Sequence, residues 1–184
     1  IEGHTIEWQD TRVPSAWLEE SPSGAAELSF ESLVVNGDPV EIAEHRYTVL
    51  LANFDEDGEF LSQCGGVVIA PGWVMTAAHC TLYQPTGTYY ASPAFISVIH
   101  GLADLNDVPD DSDDHIRFTE AVYRHPGYNP GSPFDDIALL ELHEPLEPAN
   151  ADPIPLFDLD GPTDGSAAYL TGWGATGTFN DPSA

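Results

Sequence analysis

The sequence predicts an all-β chain built on a short-stranded antiparallel barrel. Short apolar runs rich in β-branched residues recur at close spacing, Gly and Pro turns separate them, and two cysteines bracket the tightest hairpin. That hairpin, residues 64–80, reads CGGVVIAPGWVMTAAHC. Val67-Val68-Ile69-Ala70 and Trp73-Val74-Met75-Thr76 are its strands, and Pro71-Gly72 is its turn. Cys64 and Cys80 stand where a bond between them would close a 17-residue loop. Such a bond stabilises by ~3 kcal/mol on chain entropy. It would also hold the backbone beside His79, and a fixed imidazole is what acid–base chemistry needs. Free thiols and half of a metal site are the alternatives, the latter poor because no further cysteine or close histidine pattern accompanies the pair.

The remaining elements follow in order. Residues 1–33 have no sustained period and mix acids with Pro14, Pro22, Gly24, Trp8 and Trp17. They are expected to form an N-terminal extension or propeptide, with one short helix at 25–33; a disordered acidic leader is the alternative. Residues 47–54 (YTVLLANF) are a strand, turned at Asp55-Glu56-Asp57-Gly58, and 60–64 lead into the hairpin. Residues 81–94 are a Tyr/Thr/Pro/Gly loop, and 95–100 (FISVIH) are a strand. The run 103–114 (ADLNDVPDDSDD) holds six aspartates. Residues 115–128 are a strand turned at Pro126-Gly127, and Ile137 to Leu142 is an apolar strand entered through Asp135-Asp136.

Charge excludes some partners. Thirty-one acidic residues face four arginines (Arg12, Arg46, Arg117, Arg124), there is no lysine, and the net charge is −27. Nucleic acid needs clustered cations, so neither it nor an anionic membrane is an expected partner. No apolar run approaches the ~18 residues of a membrane helix. The first residues lack the apolar segment of a signal peptide, so an exported protein would have lost it or it was left out. The plain reading of the charge is a well-solvated surface; the sharper one is adaptation to high salt, which a salt-independent melting temperature would refute.

CGG-V-x-I followed by WVMTAAHC resembles the histidine motif of the chymotrypsin/trypsin-like serine proteases. Further stretches agree in order: V-x-x-H-P-x-Y at 122–128, DDIALL at 135–140, a proline-rich stretch at 144–155, and LTGWG at 170–174. The resemblance implies a double antiparallel β-barrel, the first barrel complete and only the start of the second present. Residues 34–143 would form the first, and 144–184 the inter-barrel linker and early second-barrel strands. It assigns catalytic roles to His79, as general base, and Asp136, which orients it. It reads His125, His4, His45, His100, His115 and His143 as structural. It also makes Leu33-Val34 an activation cleavage site, since Val34-Val35-Asn36-Gly37 is similar to the family's mature N-terminus. Leu33 is not the Arg or Lys that tryptic activation needs.

The family's nucleophile lies in a G-D-S-G-G stretch, which these residues lack; Ser166 in DGSAA has no glycine pair after it. The expectation is a secreted or periplasmic serine endopeptidase zymogen acting on protein or peptide substrates. Its serine would come from a missing C-terminal segment or a second chain, and these residues alone would be inactive. The alternative is an inactive homologue serving as a binding or scaffold module. No metal or other cofactor is expected. Calcium in the acidic run is left open, because carboxylate oxygens suit it but the D-x-D-x-D-G spacing is absent.

Overall fold

A computed structural model describes residues 40–83, 88–89, 92–104, 114–147, 149, 151–156 and 164–173. The expectations for 1–33, for Leu33-Val34 and for the centre of the acidic run fall outside these residues. The strands are β1 (Thr48–Phe54), β2 (Phe60–Ala70), β3 (Trp73–Thr76), β4 (Leu82–Tyr83), β5 (Thr88–Tyr89), β6 (Ile96–Ile99), β7 (Ile116–Arg124) and β8 (Ala138–Leu142). Six of them close into an antiparallel barrel in the order β1-β2-β3-β8-β7-β6, and β4 and β5 pair separately. Closure comes from β1, which pairs with β2 through Thr48↔Val67 and with β6 through Leu50↔Ile99.

The pattern of each strand follows from what covers it. In β8, Ala138, Leu140 and Leu142 are buried and the residues between them are not, the period of a strand with one inward face. β1 shows no such alternation because both of its faces are covered. Val49 and Leu51 join Val68, Val74, Ile96, Val98, Val122 and Leu140 in the main core. Leu50 and Ala52 pack with Ile99 against Phe54, Phe60, Leu102, Ile116 and Trp173. Burying one such Val, Leu or Ile contributes about 1.5–3 kcal/mol. The apolar clusters therefore outweigh any single cross-link. Gly66 serves the main core by its smallness: a Cβ there would lie 2.7 Å from Leu51 Cδ1 and 2.8 Å from Val74 Cγ1.

The structure redraws several elements. Residues 60–64 are no lead-in but the first part of an eleven-residue strand, because β1 offers partners as far as Phe54↔Phe60. The 81–94 loop contains the β4–β5 pairing and a 3-10 turn at Pro93–Phe95, capped by Ser92 Oγ accepting from the Ala94 amide. The FISVIH strand is accordingly shortened to Ile96–Ile99. Residues 164–173, expected to include an early second-barrel strand, run from a turn through irregular chain to a bend and join no ladder among the described residues. The partners expected for it are further second-barrel strands, not the strands of this closed barrel. This segment touches the barrel through Thr171 Oγ1 and Thr48 Oγ1, 2.9 Å apart, and through Trp173 Nε1 donating to Ala103 O at 3.1 Å. The proline-rich stretch runs back over the barrel. The Leu146 amide donates to Pro71 O, the Ile154 amide donates to Val68 O, and Arg46 pairs with Asp152 at 2.7 Å.

Candidate active site

Strand β3 delivers the histidine. Its last residue, Thr76, donates its hydroxyl to Gly65 O at 2.8 Å, which keeps the end of β3 against β2. The chain then enters a 3-10 turn, Ala78–Thr81, that contains His79. Cys80 in this turn is bonded to Cys64 of β2, with Cα atoms 6.0 Å apart. The turn is also held from behind. Asn53 Nδ2, fully buried on β1, donates to Cys80 O at 3.1 Å. Thr81 Oγ1 donates to Ala78 O at 2.6 Å and accepts from Arg124 Nε at 2.6 Å. Arg124 Nη2 donates to Thr81 O at 3.0 Å.

The aspartate arrives from the opposite strand. Ala138 of β8 pairs with Thr76 of β3, so residues just before β8 lie beside residues just after β3. Asp135 adopts a left-handed backbone (φ 59°), and its carbonyl accepts from the Ile137 amide at 2.9 Å, turning the chain tightly at Asp136. Asp136 then takes two hydrogen bonds from one residue: the His79 amide to Oδ1 at 2.8 Å, and His79 Nδ1 to Oδ2 at 2.7 Å.

This geometry fixes the proton. A carboxylate can only accept, so Nδ1 carries the hydrogen, and in the neutral ring Nε2 is left as the base. Cys80 Sγ lies 3.4 Å from Nε2 but, bonded to Cys64, has no proton to give it. The His79 side chain is 54% exposed and that of Asp136 25%. Partial burial pulls the Asp136 carboxyl pKa upward, but it is outweighed. The two His79 hydrogen bonds, the imidazole's charge and the Ala78 amide hold the group below its ordinary value. The site therefore joins a carboxylate kept ionised to an imidazole of fixed tautomer, half open to solvent.

With this arrangement, relatives decide the family. A family profile described as Trypsin matches residues 34–184. The chain belongs to the trypsin family. Its relatives include clotting factor C of Tachypleus tridentatus, 31% identical over 82% of this chain and 15% of that protein. CLIP domain-containing serine protease B4 of Anopheles gambiae is 31% identical over 88% of this chain and 46% of that protein. Granzyme M of Rattus norvegicus is 33% identical over 80% of this chain and 52% of that protein. The chain thus spans about half the length of the latter two and less of the first.

The remaining polar residues of this trypsin-family chain sort by their contacts. His45 Nδ1 lies 3.0 Å from the Tyr47 hydroxyl, His115 Nδ1 donates to His100 O at 3.0 Å, and His100 is fully buried. His143 faces Glu120 at 4.0 Å. Ser166 sits on the exposed 164–173 segment. Cys64, His79 and Cys80 place donor atoms within 4.8 Å of one another, but the disulfide removes both thiolates and the group does not suit a metal. Sequence reasoning missed Arg124, Thr81 and Asn53. One signal existed: Arg124 closes a largely apolar strand (AVYR) in a chain with only four cations.

Proposed function

We propose that the full protein is a secreted serine endopeptidase in which His79 and Asp136 are two members of a Ser-His-Asp triad. The observation that carries this reading is the 2.7 Å bond from His79 Nδ1 to Asp136 Oδ2, backed by the His79 amide on Oδ1. In the scheme carried over from the family, a serine oxygen bonds to the peptide carbonyl carbon while its proton passes to His79 Nε2. Asp136 stabilises the resulting imidazolium. That proton then goes to the leaving amine as the C–N bond breaks, and water repeats the sequence to release the acyl group. Proton transfer of this kind contributes roughly 10²–10⁴-fold. No cofactor enters the scheme.

The serine and the oxyanion donors are assigned to residues outside these 184, which contain no G-D-S-G-G stretch. Substrates would be proteins or peptides. The Cys64–Cys80 disulfide supports an oxidising compartment, extracellular or periplasmic. Cleavage between Leu33 and Val34 is the proposed activating step, by a protease that accepts Leu before the bond.

A fluorophosphonate probe on the full-length product tests the proposal. We expect one serine to be labelled, and labelling to fall sharply in His79→Ala. A full-length product without a G-D-S-G-G stretch that takes up no probe would sink the enzyme reading and leave the binding-module alternative.

A further inference from the structure

Strand β7 ends at Arg124, and His125 follows it directly into the Pro126-Gly127 turn. We propose that these two residues are positioning residues for the His79–Asp136 pair, Arg124 fixing the turn of His79 and His125 fixing the turn of Asp136. The inference rests on the reading that this pair is catalytic.

Arg124 is 4% exposed, in a chain whose net charge is −27 and which has three other cations. Burying a guanidinium is costly unless its protons are used. Here the planar fork spans two acceptors of one residue, Thr81 Oγ1 at 2.6 Å and Thr81 O at 3.0 Å. The Thr81 hydroxyl donates its own hydrogen bond to Ala78 O. These bonds grip the turn on both sides of His79, at Ala78 and at Thr81. An apolar side chain would fill the volume and leave those acceptors without the fork. A lysine would supply the charge as a single point without the fork.

His125 works on the other partner. Its amide donates to Ile137 O at 3.0 Å, one residue beyond Asp136. Its Nδ1 accepts from the Gly127 amide at 3.2 Å and lies 3.6 Å from Asp135 Oδ1. The Asp135 carboxylate in turn rests on Gly127, where an added Cβ would come within 2.6 Å of Oδ2. Asp135 thus keeps its left-handed conformation with its carboxylate seated against Gly127, while the His125 amide holds the chain at Ile137, and that conformation sets the direction in which Asp136 leaves the chain. One strand end thereby grips both halves of a pair whose members are 57 residues apart in sequence.

The test uses the full-length enzyme with Arg124→Met, Arg124→Lys, Thr81→Val and Gly127→Ala, and with Arg46→Gln as the charge-loss control. Two quantities are read: kcat against KM, and the downfield proton resonance of His79 Nδ1–H. We expect folded Arg124→Met and Gly127→Ala to lose about 10- to 100-fold in kcat with KM little changed. Their Nδ1–H resonance should shift upfield and broaden. Arg124→Lys should not rescue, and Arg46→Gln should match the parent. Thr81→Val keeps the side-chain shape, so it decides the Arg124 side should Arg124→Met not fold. Folded variants with parental kcat and an unmoved resonance would overturn the proposal, as would losses confined to melting temperature. If the parent enzyme itself proves inactive, the catalytic reading fails, and the resonance alone then supports or overturns the bracket.

Discussion

The barrel and the 164–173 segment carry similar sequence signals and end in different states. Both contain apolar stretches with β-formers, TVLLANF in β1 and AAYLTGW at 167–173. In β1 every residue but the last is buried, with ladders on both sides. In the segment, Tyr169 is 92% and Leu170 90% exposed, and contact with the barrel runs through Thr171 and Trp173. A run of β-forming residues specifies readiness to pair, and a free edge decides whether pairing happens. The closed barrel offers none, and the second-barrel strands that the resemblance implies as partners are not among the described residues, so this run lies on the barrel as a strap. The candidate site belongs wholly to the paired region.

The largest expected effect tests that last statement. On the proposed triad, Asp136→Asn in the full-length protein should lower kcat by about 10⁴-fold, the loss known for the family's general scheme, because the amide favours the wrong His79 tautomer. Tyr169→Ser should leave the His79–Asp136 resonance unmoved. Next, Cys64→Ser with Cys80→Ser should lower barrel stability by ~3 kcal/mol in denaturant unfolding. An unchanged unfolding midpoint would mean that the apolar lining alone sets the hairpin. Gly66→Val should cost about 1–3 kcal/mol, since its side chain would collide with Leu51 and Val74 in the main core. The smallest effect belongs to the strap. Thr171→Val should change stability by less than about 0.5 kcal/mol while speeding amide exchange in 164–173. Exchange there as slow as in β1 would erase the contrast between the regions.

Acid should act on the site as well. The Asp136 pKa lies below the ordinary aspartate value of 3.8, so folding favours its ionised form. Its contribution is therefore full above that ordinary value and is lost as pH falls through the lowered one. Stability measured from pH 5 downward should fall less steeply in Asp136→Asn than in the parent.

Much of the barrel was legible in the sequence because its strands obey simple rules: Ala138, Leu140 and Leu142 alternate, and Pro71-Gly72 marks a turn. His79, Asp136 and the cysteines were legible as motif residues, but their 57-residue separation carries no distance; the β3–β8 ladder supplies it. The Arg124–Thr81 contact was not legible. It joins residues 43 apart on two elements with no pattern in common, and a buried arginine runs against composition rules. The turn at Asp135 was not legible either, since a positive φ at a non-glycine residue leaves no mark in sequence. The AAYLTGW run was legible as an apolar β-forming stretch, but propensity says nothing about its partner, and among the described residues it joins no ladder.

Strand β8 lies between β3 and β7 in space but comes last of the described strands in sequence, pairing Trp73 with Glu141 and Val122 with Leu140. Its insertion is the most sequence-distant step of closing the sheet, and loops of that span close slowly. Asp136 travels with β8, so His79 meets its carboxylate only when the last strand docks. In kinetic terms the pair is a late product: a refolding chain should gain most of its β-sheet signal before the His79–Asp136 contact forms, and a nascent chain would hold no such pair until β8 had docked.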